Sequence, residues 1–168
     1  MQNIIFIHGL ESSGKGFKGR LLRKIFPKIL TPDFKAFNTE IPMDELLDMR
    51  MKELNLILAT KKSWIIIGSS FGGLMATLYT LQNPDKVEQL ILLAPLLISP
   101  KLKPFFNRVI EIPVIVYHGR DDKVVPYLTS RERAKRLFYN LKYNIVEDDH
   151  SLHKTVRVIN WGELIPHS

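Results

Sequence analysis

The sequence predicts an α/β fold: a three-layer α/β/α sandwich around a mostly parallel, six-stranded sheet. Three observations predict it. Short, β-branched apolar runs recur along the chain and read as strands buried on both faces. Segments of helical period alternate with those runs, the pattern of helices covering a parallel sheet. The 168 residues contain no repeat, low-complexity tract or linker and read as one domain over residues 1–168, long enough to bury a full core.

Each element follows from its own residues. Residues 3–7 (NIIFI) form the first strand. Residues 17–26 place Leu21, Leu22, Ile25 and Phe26 on one helix face, stopped at Pro27. Residues 28–31 read as a short second strand ended by Pro32. Residues 44–60 carry Leu47, Met51, Leu54 and Leu58 at helical spacing. Residues 64–67 (WIII) are the third strand, and 74–81 an apolar helix that gives out at Asn83-Pro84. Residues 87–93 and 114–117 are the fourth and fifth strands. Pro126 opens a helix reaching to residue 140; residues 143–146 are the sixth strand and 155–164 the last helix.

Composition narrows the function. Hydrophobic residues are 45% and charged residues 24%, which excludes disorder, collagen and coiled coil. No cysteine is present, so disulfide scaffolds, thiolate metal sites, iron–sulfur clusters and thiol nucleophiles are excluded, and a reducing compartment fits. The 24 Lys and Arg exceed the 17 Asp and Glu, for a net charge of +7, but they are scattered rather than clustered. That reads as a solvated basic surface, and no nucleic-acid partner is expected. No apolar run approaches the roughly 18 residues of a membrane span, and the N-terminus lacks a basic leader. A cytoplasmic protein is expected.

In a parallel sheet, ligands bind at the carboxyl ends of the strands, so the residues following each strand carry the chemistry. After WIII comes Gly68-Ser69-Ser70-Phe71-Gly72, a G-x-S-x-G between a strand and a helix. Such a sharp turn lifts the Ser70 hydroxyl above the sheet, and the Phe71 amide at the helix start can face a developing oxyanion. After the first strand, His8-Gly9-Leu10 offers the Leu10 amide as a second such donor, with His8 read as a structural histidine. After the fifth strand, residues 118–126 (HGRDDKVVP) place two carboxylates, Asp121 and Asp122, where either can orient a histidine. After the sixth, His150 can reach back to take a proton from Ser70, with His153 one helical turn further as the alternative base. No metal-ligand spacing supports a metal site, and no cofactor is implied.

These motifs, in this order, resemble the α/β-hydrolases. His8-Gly9 after one strand, Gly68 to Gly72 after another, residues 118–126 and the late His150 carry the resemblance over essentially the whole chain. The HG-x-x-SS opening (His8, Gly9, Ser12, Ser13) is similar to that of small, lidless bacterial esterase-like members. The resemblance implies Ser70 as nucleophile, Asp122 as acid and His150 as base, since the family spacing G-x-x-D-x-x-V is met by Gly119, Asp122 and Val125. Leu10 and Phe71 would supply the oxyanion hole. The expected activity is hydrolysis of a small to medium acyl ester or thioester.

Two features depart from the family: its first two strands are absent, and only about 20 residues stand where many relatives insert a cap domain. Some relatives keep the fold and lose the chemistry, so a non-enzymatic binding protein is the alternative. Gly9 to Lys15 also spells G-x-x-x-x-G-K, most of a phosphate-binding loop, but Gly16 replaces the Ser or Thr that would hold Mg²⁺. Leu96, Leu97, Phe105 and Phe106 are candidates for an acyl pocket, or for a segment packed on the core. Lys101 and Lys103 would then stand at the entrance, favouring an anionic leaving group.

Overall fold

The computed structural model describes residues 2–108 and 110–166. Five strands build one parallel sheet: β1 (Ile4–Ile7), β2 (Trp64–Ser69), β3 (Val87–Leu93), β4 (Val114–Gly119) and β5 (Leu141–Val146). They lie side by side in chain order. Register follows the apolar runs, with Ile5 opposite Ile66, Ile66 opposite Leu90, and Leu90 opposite Val114.

The expected second strand, residues 28–31, is reduced to a bridge, so five of the six expected strands are present among the described residues. Leu30 pairs with Ile5, its carbonyl accepting from Phe6 at 2.8 Å and its amide donating to Ile4 at 2.9 Å. Pro27 and Pro32 bracket the segment and leave room for no more than this pairing. The bridge lies on the edge of β1 away from β2, so the chain reverses its direction of growth across the sheet at β1. The loops after β1 and β2 therefore flank the crevice where sheets of this kind bind ligands.

Period-two alternation divides the core between the two faces. Ile5, Ile7, Ile66, Leu90 and Leu92 face one way, onto α2 (Met43–Leu58), α3 (Phe71–Gln82) and α4 (Tyr127–Leu137), through Leu54, Leu58, Met75 and Leu137. Ile4, Phe6, Ile65, Ile67, Ile91 and Leu93 face the other, onto α1 (Phe17–Ile25), α5 (His153–Val158) and α6 (Trp161–Leu164), through Leu22, Val156 and Trp161. Each such aliphatic or aromatic side chain, once fully buried, contributes about 1.5–3 kcal/mol.

Three helices differ from expectation. The one opened at Pro126 ends at Leu137 rather than residue 140, since Phe138 is already extended and bridged to Ile110. The apolar helix begins at Phe71 rather than Leu74, because Gly72 and Gly73 lie inside its first turn. The last helix is two, because the Asn160 side chain accepts from the Glu163 amide at 3.4 Å and starts a new one. Among the described residues between β3 and β4 the only helical turn is the 3₁₀ segment Pro100–Phe105, which contains Pro104. No helix among the described residues is long and apolar enough to cross a membrane.

Candidate active site

Ser70 sits at the β2–α3 turn with φ 54° and ψ −115°. A non-glycine residue held there stores about 1–3 kcal/mol of strain. Backbone bonds over-determine it: its amide donates to Leu93 at 2.9 Å, and its carbonyl accepts from Gly73 (2.9 Å), Leu74 (3.2 Å) and Leu96 (3.0 Å). The neighbouring glycines supply space, since none of them has positive φ. A Cβ on Gly72 would stand 2.2 Å from the Ile7 carbonyl oxygen and 2.4 Å from that of His8; one on Gly68 would stand 2.7 Å from the Gly72 oxygen. Serine at a helix start usually caps the helix with its hydroxyl. Here the hydroxyl makes no cap bond.

The Ser70 hydroxyl instead lies 3.0 Å from His150 Nε2, and His150 Nδ1 lies 2.7 Å from Asp122 Oδ2. A carboxylate beside Nδ1 places the imidazole proton there, so Nε2 is left to accept from Ser70. Asp122 Oδ1 accepts the amides of Val124 (2.9 Å) and Val125 (2.7 Å), and the carboxylate is fully buried. Asp121 is exposed, with only its amide engaged, by the Asp148 carbonyl at 3.1 Å. His153 packs on Phe17 with ring centroids 4.4 Å apart. Of the alternatives left open by sequence, the structure joins Ser70, His150 and Asp122 in one chain and leaves Asp121 and His153 outside it. Such a chain can draw the hydroxyl proton onto a histidine and stabilise the resulting imidazolium.

The chain continues one residue further. His118 Nε2 lies 3.1 Å from Asp122 Oδ2 and 2.8 Å from the Val125 carbonyl oxygen. A carbonyl only accepts, so Nε2 carries a proton and Nδ1 accepts from the Tyr143 hydroxyl at 2.6 Å. Burial pushes the pKa of His118 below its ordinary value and that of Tyr143 above its own. Both partners therefore stay neutral around the carboxylate. Asp148, just before the histidine loop, has its carboxyl raised by burial. Bonds from the Thr155 amide and hydroxyl and the Asp149 amide outweigh that and hold it below the carboxylate range.

Leu10 and Phe71 both line the cavity over Ser70, and among the described residues the amide of neither donates to another group. Arg50, wholly buried on α2, holds the Leu10 loop. Its Nη2 donates to the Leu10 carbonyl at 2.7 Å, Nη1 to Gly9 at 3.2 Å and Nε to Lys35 at 2.8 Å, and its guanidinium lies 5.2 Å from the Phe71 ring centroid. Burial pushes its pKa below the usual arginine value. His8 supports the same loop, with Nδ1 2.7 Å from the Gly9 carbonyl oxygen and Nε2 accepting the Phe34 amide at 2.9 Å. Both nitrogens are engaged and burial lowers the pKa, so His8 is a neutral structural histidine.

The cavity has a volume of about 590 Å³, within the range of small-molecule sites. Of the four proposed pocket residues, Leu96 lines it and three do not. Leu97 is fully buried in the core, Phe105 lines a separate cleft beside α2, and Phe106 lies under the Arg136 guanidinium at 4.1 Å. The 3₁₀ turn carries the two phenylalanines away from Ser70. Lys101 pairs with Asp48 at 2.8 Å, and Lys103 is exposed. Phe6, Phe17, Met43 and Lys18 take their places as wall residues. The glycine-rich stretch of residues 9–15 holds an acid: the Gly14 amide donates to Asp33 at 2.7 Å and Lys15 lies 3.9 Å from the same carboxylate. Among the described residues no group of three or more His, Asp or Glu is placed to hold a metal.

Sequence reasoning missed Arg50 and Lys18, though signals for both were present. Arg50 falls three after Leu47 and four before Leu54, on the apolar face of its helix; Lys18 falls four before Leu22 and seven before Ile25 on the face of its own.

A family model described as Phospholipase/Carboxylesterase matches residues 22–158. No curated protein matches. Solved structures are similar throughout. Alpha/beta hydrolase domain-containing protein 10 from mouse is 18% identical with a TM-score of 0.77, over 93% of this chain and 85% of that one. Est1E from Butyrivibrio proteoclasticus, solved with ferulic acid bound, is 18% identical with a TM-score of 0.77, over 98% and 88%. An α/β-hydrolase enzyme from the metagenome of lagoon sediments at Mar Chica, Morocco, is 17% identical with a TM-score of 0.72, over 97% and 88%.

Proposed function

Because the chain belongs to the phospholipase/carboxylesterase family of α/β-hydrolases, we propose that it hydrolyses small to medium acyl esters or thioesters through an acyl-enzyme on Ser70. One observation carries this reading: the unbroken chain from the strained Ser70 to His150 at 3.0 Å and on to buried Asp122 at 2.7 Å.

Ser70 Oγ attacks the acyl carbon while His150 Nε2 takes its proton. Negative charge gathers on the acyl oxygen, where the Leu10 and Phe71 amides stabilise it; each such donor contributes about 10²–10³ in rate. Collapse breaks the bond to the leaving group, which departs with the proton from His150. Water then attacks the acyl-enzyme with His150 again as base, releasing the acid and restoring Ser70. Asp122 holds the tautomer and balances the imidazolium, while His118 and Tyr143 hold Asp122. The apolar walls Phe6, Phe17, Met43 and Leu96 suit an acyl chain of modest length.

The test is hydrolysis of 4-nitrophenyl acetate and butyrate by wild type, Ser70→Ala and His150→Ala, with fluorophosphonate labelling read by mass spectrometry. Label on Ser70 and a loss of at least about 10³-fold in both variants are expected. Turnover by Ser70→Ala at the wild-type rate would overturn the assignment.

A further inference from the structure

A lysine stands in the wall of the cavity over Ser70, and the mechanism above has no use for it. Lys18 lies in the first turn of α1, beside Phe17, with its side chain largely withdrawn from bulk water and lining that cavity. Among the described residues its ammonium makes no hydrogen bond and has no carboxylate within 4.0 Å. The nearest acids by charge are Asp149 and Asp148. Both oxygens of Asp148 are engaged, by Thr155 and the Asp149 amide, and Oδ1 of Asp149 takes the amide and hydroxyl of Ser151. The other acid at the cavity, Glu11, is exposed at its rim.

An ammonium has three donors, and here, partly shielded by the cavity wall, none of them meets a protein acceptor among the described residues. The apolar stripe of α1 favours an aliphatic residue at this position, so no packing demand accounts for lysine. A ligand carrying a negative charge into the cavity would satisfy those donors in a partly enclosed site, where the interaction is stronger than in bulk water.

We propose that Lys18 is the specificity determinant of this site, selecting ester substrates that carry a carboxylate. The proposal rests on the serine-hydrolase reading above for the chemistry and on the Lys18 geometry for the charge. The carboxylate can enter on the acyl part or on the leaving group; two pairs of esters separate those sources. Mono-4-nitrophenyl adipate against its methyl ester tests the acyl side. 4-Carboxyphenyl butyrate against its methyl ester tests the leaving-group side.

In at least one pair, wild type is expected to favour the anion in kcat/KM by about tenfold or more. Lys18→Met and Lys18→Gln should bring that ratio down about tenfold, towards unity, whereas Lys18→Arg keeps a preference for the anion. No preference in wild type for either anion, or a ratio unmoved in a Lys18→Met or Lys18→Gln protein with native near-UV circular dichroism, overturns the proposal. Binding of monomethyl adipate to Ser70→Ala, with and without Lys18→Met, reads the charge recognition without turnover. Absence of both turnover and fluorophosphonate label would defeat the serine-hydrolase reading. Binding to Ser70→Ala of both monomethyl adipate and 4-carboxyphenyl butyrate that is absent, or indifferent to Lys18, would defeat this proposal.

Discussion

Replacing Asp122 by asparagine should abolish most activity while leaving a folded protein, and the size of each effect follows from four hydrogen bonds. Oδ1 accepts from the Val124 and Val125 amides at 2.9 and 2.7 Å; Oδ2 accepts from His150 at 2.7 Å and His118 at 3.1 Å. An asparagine that keeps its oxygen toward the two amides turns its NH₂ toward both histidines. His150 must then move its proton from Nδ1 to Nε2, and Nε2 no longer accepts from Ser70. The reversed amide opposes the Val124 and Val125 N–H groups instead and leaves both unpaired in the interior, at about 1–3 kcal/mol each. The first orientation therefore prevails. Its cost to stability is about 1–3 kcal/mol, since His118 Nε2 keeps the Val125 carbonyl at 2.8 Å. Its cost to catalysis is a wrong tautomer, about 10³–10⁴ in kcat, or about 4–5.5 kcal/mol of barrier. The assay is kcat and KM on 4-nitrophenyl butyrate beside urea unfolding, with Asp121→Asn as the control. A folded Asp122→Asn protein within about tenfold of wild type, or an equal loss in Asp121→Asn, would refute the reasoning.

Two further expectations follow. Arg50→Met removes the donors from three carbonyls and frees the Leu10 loop, so kcat should fall about tenfold or more and stability by about 2–5 kcal/mol. Arg50→Lys should recover only part, because an ammonium lacks the planar fork; an unchanged kcat in folded Arg50→Met would show that the loop holds itself. His8 and His118 are both buried, with pKa values held below the ordinary 6.5. As pH falls through 6.5 the unfolded chain takes up these protons and the folded chain does not. Stability is therefore full above that pH and falls below it, by up to about 1.4 kcal/mol per pH unit for each histidine, until the folded form is protonated as well. Urea unfolding at about pH 7, 6 and 5 reads the slope. A slope of opposite sign, or one that His118→Gln leaves unaltered, would count against it.

The parallel sheet was legible because its strands are apolar on both faces, and that arrangement leaves an uninterrupted run such as WIII. The Leu30 segment was not, because four residues between prolines look the same whether they make a strand or one bridge. Helix starts misled where Gly72 and Gly73, which usually signal a turn, are needed for close packing. At the site, Ser70, Asp122 and His150 could be picked out from motif spacing, since each stands at the end of a strand. Its walls could not. Which of Leu97, Phe105 and Phe106 faces Ser70 depends on where a 3₁₀ turn points after Pro100, and no period encodes that. Arg50 and Lys18 appear in the sequence only as polar residues on apolar helical stripes; the carbonyls that Arg50 holds and the cavity that Lys18 lines become visible once the layers are packed.

Helix α2 makes two contributions at once. Its first residue, Met43, forms part of the cavity wall, and two turns later Arg50 grips the carbonyls beside the Leu10 amide. If the Leu10 amide stabilises the oxyanion as proposed, substrate range and charge stabilisation are coupled through one helix. Drifting α2 outward to admit a bulkier acyl group would drag the Arg50 grip with it and loosen the loop on which the Leu10 amide is carried. Enlarging the pocket by side-chain exchange at Met43 or Leu96 spares that grip. On the reading proposed above, new substrates should be reached more readily by trimming the walls than by moving them.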